Sequence, residues 1–341
     1  MAMQIGKLVT DWYAAHGRHM PWREGQDPYR IWVSEVIMQQ TRIEQGEGYF
    51  YRFVDRFPDL ASLAAAEQDE VLKYWEGLGY YSRARNLHAA ARQLVETHGG
   101  QFPSHHEALL TLKGVGPYTA RAIASFAFGQ QVGVLDGNVL RVMSRLLNDF
   151  SPVNRPQTRR KFQHLIDGWV AGQDSRSFNY GMMDIGATIC TPTQPGCLIC
   201  PLEAVCQGRK AGSVQLLPQK DQKLKRKVRY FNFYLILNEK GEVAIRQRPT
   251  DGFWGGLWEI PNEETKRKAW EKKESEGGGR FLFELKHVFT HFDMMINTFM
   301  LSAGAAPAFE EVQFISTDKI AIFAFSKAVL NIFENAWQNM D

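Results

Sequence analysis

The residues between positions 112 and 120 constrain the fold of this chain more than any other stretch. They read Leu-Lys-Gly-Val-Gly-Pro-Tyr-Thr-Ala. Gly114 and Gly116 lack a Cβ, so their backbone can turn sharply and come close to another molecule. Pro117 suits the first position of a helix, which small and apolar residues then continue at helical spacing. The pattern predicts two short helices joined by a tight hairpin, with free amide groups that can bind a phosphate. An ordinary helix-turn-helix corner is the alternative.

The flanking residues extend this pattern. Ser104 and Glu107 predict a capping box before the first helix, and Gly129 predicts the end of the second. Asp136 is predicted to cap a third helix. A glycine hairpin followed by Leu-Asp-Gly-Asn resembles the helix-hairpin-helix of the DNA glycosylases related to endonuclease III, in which the carboxylate lies beside the sugar. The resemblance implies that the hairpin contacts the DNA backbone through Gly114, Val115 and Gly116.

Composition limits the class of protein. With 341 residues and 44% hydrophobic content, the chain can fill the cores of two domains. The net charge of +3 is small, so affinity for nucleic acid must come from local clusters of Lys and Arg. We see no signal peptide and no apolar run of membrane-spanning length. We therefore expect a cytoplasmic protein of bacterial type, associated with the nucleoid in use and not with a membrane.

A single acid interrupts an apolar helix near the start of the chain. Asp27 and Pro28 predict where this helix begins, and residues 31–43 are apolar nearly all round except for Glu35. Its carboxyl leaves the helix on an apolar side and loses hydration. Such a loss raises the pKa of a carboxyl until it can hold and deliver a proton near neutral pH. A buried, purely structural pair between Glu35 and Arg42 is the alternative.

The residues around Glu35 carry a more specific resemblance. Positions 34–41 read Ser-Glu-Val-Ile-Met-Gln-Gln-Thr, which resembles the motif of the MutY-type adenine DNA glycosylases, whose glutamate at this place is the catalytic acid. Their bifunctional relatives carry a lysine nucleophile two residues after the last hairpin glycine, where this chain has Tyr118. Tyrosine cannot form a Schiff base, so we expect no strong β-lyase activity.

The same resemblance assigns the other pocket residues. Asp136 would stabilise the oxocarbenium ion, either electrostatically or as a transient covalent partner. Tyr118 would support that intermediate, and Asn138 would orient the catalytic groups. The base pocket would be lined by Trp22 and Arg23.

A glycine-rich turn offers a wedge for the DNA stack. It joins helices predicted at residues 60–76 and 82–98, and reads Gly-Leu-Gly-Tyr-Tyr from position 77. An apolar or aromatic side chain at the tip of such a loop can fill the gap that an extruded base leaves. The resemblance implies that the wedge and neighbouring DNA contacts are Gln40, Thr41, Leu78, Gly79 and Tyr80. Packing of these side chains into a core is the alternative.

All four cysteines lie in one segment with the spacing C-x6-C-x2-C-x5-C. Clustered thiols in a protein of intracellular type indicate a metal rather than disulfides, and zinc and iron-sulfur are both chemically possible. The spacing is that of the [4Fe-4S] loop in the endonuclease III and MutY relatives. The resemblance therefore implies a [4Fe-4S] cluster with the ligands Cys190, Cys197, Cys200 and Cys206.

The last third of the chain changes character. Basic residues cluster in 209–228, which we interpret as a surface linker. Strand patterns dominate from residue 229, and a charged helix is predicted to run from 263 to about 276.

Leu-Trp-Glu-Ile-Pro from position 257 resembles the Nudix-like domain of MutY proteins, although the glutamates of a working Nudix helix are missing. The family's Phe-Ser-His loop, which reads 8-oxoguanine, corresponds here to Phe289, Thr290 and His291.

The sequence thus predicts a multidomain protein. An all-α helix-hairpin-helix glycosylase domain would occupy residues 1–208, with its hairpin at about 104–128 and its [4Fe-4S] loop at 190–206. A basic linker would follow at 209–228, and an α+β Nudix-like lesion-recognition domain at 229–341.

The resemblance implies a monomeric, monofunctional enzyme that excises adenine mispaired with 8-oxoguanine or guanine in double-stranded DNA. A bifunctional glycosylase with AP lyase activity is the nearest alternative. A non-catalytic iron-sulfur DNA-binding protein and a nucleotide hydrolase are the others.

Overall fold

The computed structural model describes residues 2–221, 226–273, 279–305 and 309–338. Helices dominate up to residue 210, and strands dominate from residue 227. The helices of the first part are α1 (Ala2–His16), α2 (Pro28–Ile37), α3 (Ile43–Arg56), α4 (Leu60–Ala65), α5 (Gln68–Tyr74), α6 (Ser82–His98), α7 (His106–Leu109), α8 (Pro117–Phe128), α9 (Gly137–Leu147), α10 (Pro156–Val170), α11 (Ser175–Asp184) and α12 (Gln207–Lys210).

The chain folds into two compact units, and each is assembled from separate segments. Unit 1 comprises residues 1–43, 59–64 and 89–223, and unit 2 comprises residues 44–58, 65–88 and 224–341. Among the described residues, no helix has the length and apolar character that spanning a membrane requires.

The core of unit 1 is formed by the apolar faces of α1, α9, α10 and α11. Buried side chains from these helices, including Val9, Met143, Phe162 and Phe178, pack into one cluster. Helix α8 is anchored as predicted: Pro117 is its first residue, and Gly129 ends it with a φ of +67°. Each of these conformations is the one that its residue type favours.

Three predictions about helices in this part were wrong. The single helix predicted over residues 60–76 is divided into α4 and α5, and α5 ends at Tyr74. The helix predicted over residues 31–43 ends at Ile37, and Gln40 adopts a left-handed φ of +59° before α3 begins. Helix α7 begins at His106, and its preceding residue makes no side-chain cap, so the capping box of Ser104 and Glu107 does not form. A local pattern marks the region of a helix better than its ends, because helix ends fray.

Unit 2 contains one mixed sheet within its described residues. The elements are β1 (Lys227–Leu237), β2 (Val243–Gln247), β3 (Trp258–Glu259), β4 (Asn262–Thr265), α13 (Arg267–Glu271), β5 (Arg280–Val288), β6 (Phe292–Ser302), β7 (Gln313–Ile315) and α14 (Lys327–Gln338). The central pair, β1 with β6, is parallel, and the other pairs are antiparallel. The strand order is β3-β2-β1-β6-β5, with β4 paired to β1 and β7 to β2.

The charged segment after Pro261 differs from its prediction. Residues Asn262–Thr265 form strand β4 against β1, and the helix is limited to Arg267–Glu271 before residues 274–278, which lie outside the described part. The backbone of β1 offers hydrogen-bonding groups that β4 satisfies, and this outweighs the helix preference of Glu263 and Glu264.

The predicted basic linker contains local structure. Helix α12 and a short helical turn at Val214–Leu216 lie in residues 207–216. Arg155 pairs with Asp221 at 2.8 Å. Lys223 and Lys225, which contributed to the basic pattern, lie outside the described residues.

Candidate active site

Unit 1 contains a cavity of about 750 Å³ beside the hairpin. It lies where α2, the hairpin before α8, and the start of α9 meet. Most of the residues that the sequence assigned to catalysis or to contact with the base and DNA line this cavity, namely Trp22, Arg23, Glu35, Gln40, Thr41, Gly114, Gly116, Tyr118, Asp136 and Asn138. Val115 is buried and does not line it.

Glu35 enters the cavity from the buried side of α2. The residue is only 7% exposed. The hydroxyl of Tyr118 donates a hydrogen bond of 2.7 Å to Glu35 Oε2. Burial raises the pKa of Glu35 to about 7, although this hydrogen bond and the nearby Arg23 lower it. A carboxyl with such a pKa carries a transferable proton near neutral pH. Arg42, the alternative partner, is not among the groups that act on it.

Asp136 caps α9 as predicted and faces the same cavity. Its Oδ1 accepts from the Val139 amide at 2.6 Å, and its Oδ2 accepts from Asn138 Nδ2 at 3.0 Å. Burial raises the pKa of Asp136, and these two donors oppose that rise. The two acids therefore differ in their surroundings: one carboxyl meets a single hydroxyl, while the other meets the N-terminus of a helix.

Arg141 connects this carboxylate to the cysteine segment. Its Nη2 donates to Asn138 Oδ1 at 2.9 Å and to the Gly186 carbonyl at 2.6 Å, and its Nε donates to the Cys190 carbonyl at 2.7 Å. Because the amide oxygen of Asn138 is held by a cation, its NH₂ group is turned towards Asp136. The chain from Asp136 to Cys190 is thus continuous in hydrogen bonds.

The hairpin has the geometry that its glycines allow. Gly114 adopts a φ of +73°, a left-handed conformation, and it is exposed. Gly116 precedes α8 in an extended conformation, so the first amides of a twelve-residue helix are free. Free amides at a helix start are suited to an anion such as a DNA phosphate.

Unit 2 has its own cavity of about 780 Å³, and the remaining predicted contact residues line it. These are Leu78, Gly79, Tyr80, Phe289, Thr290 and His291. Tyr80 is 46% exposed with a left-handed φ of +48°, whereas Leu78 is buried. The hydroxyl groups of Tyr80 and Thr290 are hydrogen bonded to each other. An exposed aromatic side chain on strained backbone is typical of a functional site rather than of a core.

The four cysteines line one small cavity in unit 1 and form no disulfide. Buried Arg145 donates to Cys190 Sγ at 3.3 Å and to the carbonyls of Thr191 and Pro192. Burial raises the pKa of Cys200 to about 11. Within the described residues, no three His, Cys, Asp or Glu side chains are grouped so that they could hold a metal ion.

Sequence reasoning missed several residues that line the first cavity. Among them are Arg18, Tyr180 and Arg159. It also missed Asp184, which is completely buried and paired with Arg18 and Arg23. The signal that singled out Glu35, one acid in an apolar run, is also present at Asp184, because Met182, Met183 and Ile185 surround it.

Comparisons with known proteins agree with this architecture. Residues 33–167 match the model of the HhH-GPD superfamily base excision DNA repair protein, and residues 232–335 match the NUDIX domain model. A thermostable thymine-DNA glycosylase superposes with a TM-score of 0.56 at 28% identity, covering 60% of this chain and 95% of that one. Endonuclease III in a non-covalent DNA complex shares the fold, with a TM-score of 0.53 at 20% identity, covering 62% and 98%. The predicted fold class is confirmed.

Curated relatives align over both domains. The adenine DNA glycosylase of Buchnera aphidicola subsp. Schizaphis graminum (strain Sg) is 32% identical over 301 residues, covering 86% of each chain. The adenine DNA glycosylase of Homo sapiens is 32% identical over 367 residues, covering 87% of this chain and 66% of the human protein. The chain therefore belongs to the adenine DNA glycosylase family, within the HhH-GPD superfamily of base excision DNA repair proteins.

Proposed function

We propose that this adenine DNA glycosylase is monofunctional and excises adenine opposite 8-oxoguanine or guanine, with Glu35 as the proton donor. The observation that carries the proposal is the burial of Glu35 in a cavity that it shares with Asp136. A base cannot be attacked inside the stack, so the adenine is extruded from the duplex into this cavity.

The chemistry needs both acids. Glu35 gives its proton to N7 of the extruded adenine, and the C1′–N9 bond then breaks with its electron pair leaving on the purine. The sugar becomes an oxocarbenium ion, which the carboxylate of Asp136 stabilises electrostatically or as a transient covalent partner. Water adds to C1′ and its proton passes to the Glu35 carboxylate, which restores the acid. The products are free adenine and an abasic site. Tyr118 and Asn138 hold the two acids in place by the hydrogen bonds described above.

The expectation of no strong lyase activity follows from residue 118. A bifunctional enzyme forms a Schiff base through an amine, and the residue that contacts Glu35 here is a tyrosine. Sodium borohydride should therefore not trap the protein on DNA.

We assign recognition of the opposite base to the cavity of unit 2. The hydroxyl of Thr290 can both donate and accept, which suits the N7–H and O8 of 8-oxoguanine. Tyr80 already contacts this hydroxyl, and both residues are exposed. Aromatic rings surround them, because Phe289 stacks on Phe292 at 4.3 Å and lies 5.3 Å from Trp254. A purine can stack against such rings.

Extrusion requires groups that fill the vacated space. Tyr80 has an exposed ring, and Gln40 is exposed at a left-handed position. In unit 2 we assign a wedge role to Tyr80 and Leu78 and a flanking DNA contact to Gly79. In unit 1 we assign a wedge role to Gln40 and a flanking DNA contact to Thr41. We assign backbone phosphate contact to the hairpin at 114–116.

We propose that a [4Fe-4S] cluster is bound by Cys190, Cys197, Cys200 and Cys206. In such a cluster each cysteine binds a different iron, so the four sulfurs need not converge on one point. The shared cavity and the contact of Arg145 with Cys190 Sγ fit an anionic group at this place. A cluster bound there would fix the position of the segment after α11. Purified protein should contain iron and acid-labile sulfide, and Cys200→Ser should lower the content of both.

A single-turnover assay tests the enzymatic proposal. Duplexes carrying adenine opposite 8-oxoguanine or guanine are incubated with excess protein, and free adenine is measured. General acid catalysis supplies roughly 10² to 10⁴ in rate, so Glu35→Gln should lower the rate at least that much while duplex affinity changes little. Glu96→Gln, an exposed glutamate on α6, is the matched control. Wild-type turnover by Glu35→Gln, or trapping by borohydride, would overturn the assignment.

A further inference from the structure

Asp184 at the end of α11 is a completely buried carboxylate that binds two arginines. Its Oδ2 accepts from the amide of Arg18 at 2.9 Å, and its Oδ1 accepts from Arg18 Nε at 2.8 Å. Arg23 adds Nη1 to Oδ2 at 2.8 Å and Nη2 to Oδ1 at 3.0 Å. Paired bonds between a guanidinium and a carboxylate fix direction as well as distance. The position of both arginine heads is therefore set by one acid.

These two arginines form part of the wall of the cavity that contains Glu35. The guanidinium of Arg23 lies 4.1 Å from the centre of the Tyr180 ring. That ring in turn stacks on Phe126 at 4.0 Å, with an angle of 13° between the planes. Arg23 is thus held from two sides, and its side chain is 8% exposed. Its charge therefore lies at a fixed, buried position, where charges interact more strongly than in water.

The charge of Arg23 opposes the proposed role of Glu35. The groups that face Glu35 are Tyr118 from α8, Asp136 from the start of α9, Tyr180 from α11 and Arg23 from the turn before α2. Among these, Arg23 is the cation, and a nearby cation favours the ionised form of a carboxyl. A proton donor must instead stay protonated until it meets the base. The buried carboxylate of Asp184, paired with Arg23, reduces the effect of the Arg23 charge on Glu35.

We propose that Asp184 is a positioning residue for excision: it holds Arg18 and Arg23 at the cavity wall and offsets their charge, so that Glu35 keeps its proton. This inference rests on the proposed role of Glu35. Asp184 does not line the cavity and acts only through the arginines. A cavity whose acid stays protonated in this way suits a neutral purine that must accept a proton.

The test is the pH dependence of the single-turnover rate. The competent form has Glu35 protonated and Asp136 ionised, so the limb that falls as pH rises reports the pKa of Glu35. Asp184→Asn removes one negative charge and leaves the arginine charge uncompensated. The ionised form of Glu35 is then favoured, and the falling limb should move to lower pH by roughly one unit. At the pH where wild type retains half of its rate, the variant should be several-fold slower.

A second variant keeps the test decisive if Asp184→Asn folds poorly. Arg23→Gln removes the cation and leaves Asp184 with Arg18, so the limb should move to higher pH. Asp167→Asn is the control. It breaks the 2.7 Å pair between Asp167 and Arg121, and neither residue lines the cavity, so the falling limb should not move.

A purely structural role for Asp184 predicts a lower rate at every pH with the limb in place. An unshifted limb in folded Asp184→Asn would overturn the inference, and so would an unshifted limb in Arg23→Gln. If Glu35→Gln retained full activity, the proposed function itself would fail, and the two failures are therefore distinguishable.

Discussion

The Tyr118 hydroxyl lies 2.7 Å from Glu35 Oε2, and this bond connects the helix that follows the hairpin to the acid on α2. Tyr118 follows Gly116 of the hairpin proposed to contact DNA by two residues, and Glu35 faces the cavity in which a base would lie. The elements proposed for gripping the DNA backbone and for delivering the proton are thus connected by one side-chain contact.

That contact has a measurable effect on pH dependence. The Glu35 pKa of about 7 requires excision to slow as pH rises above neutrality. The Tyr118 hydrogen bond lowers this pKa, so Tyr118→Phe should move the falling limb to higher pH. Loss of one such bond should also lower the plateau rate by about tenfold. Single-turnover profiles of wild type and variant measure both effects. Tyr51→Phe, an exposed tyrosine on α3, should leave the profile unchanged.

Glu35 should reduce the stability of the fold above neutral pH. Its pKa is about 7 in the folded state, against an ordinary value of 4.5. A carboxyl with a raised pKa favours the folded state most below pH 4.5, and this advantage is lost as pH rises through 7. The difference corresponds to about 3 kcal/mol. Denaturant unfolding at pH 8 should show Glu35→Gln to be more stable than wild type by up to about this amount, and by less at pH 5.5. The same difference in unfolding free energy between wild type and Glu35→Gln at pH 8 and at pH 5.5 would contradict the prediction.

Arg141 should control the rate of bond cleavage through Asn138. Arg141→Met removes the donor that holds the Asn138 amide oxygen and leaves that amide free to turn away from Asp136. A hydrogen bond from a charged group contributes about 1.5 to 3 kcal/mol, so adenine release should slow roughly 10- to 100-fold. Binding of a duplex with a non-cleavable adenine analogue should change much less. Arg160→Met, exposed on α10, is the control. A wild-type rate in Arg141→Met would contradict the role.

Thr290 and Tyr80 should affect discrimination between opposite bases. Thr290→Ala removes a hydroxyl that is exposed and bonded to Tyr80, and Tyr80→Phe removes its partner. Because guanine lacks the N7–H and O8 groups, both variants should lose more affinity for duplexes with 8-oxoguanine than for those with guanine. Thr290→Ser keeps the hydroxyl and should behave as wild type. Equal losses on both duplexes would mean that the contact supports the loop without reading the base.

Local sequence signals correctly predicted the parts of the site that depend on backbone conformation. Gly114 needs a positive φ, Pro117 starts a helix and Asp136 caps one, and each is found as expected. Glu35 was predictable because one acid in an apolar helix must be buried or paired. The end of α2 at Ile37 was not predictable, because the apolar pattern of the helix contains no signal for the left-handed conformation of Gln40.

The sequence by itself determined which groups are available: one acid within an apolar helix, a carboxylate where a helix begins, and a tyrosine rather than an amine after the hairpin. These properties belong to residue types and to spacings of a few positions along the chain. Only the tertiary structure decided that Asp184 pairs with Arg23, and that Arg141 connects Asp136 to the cysteine segment. Asp184 is 161 positions from Arg23. Pairs so far apart in the chain meet because helices pack against one another, and no local pattern contains that information.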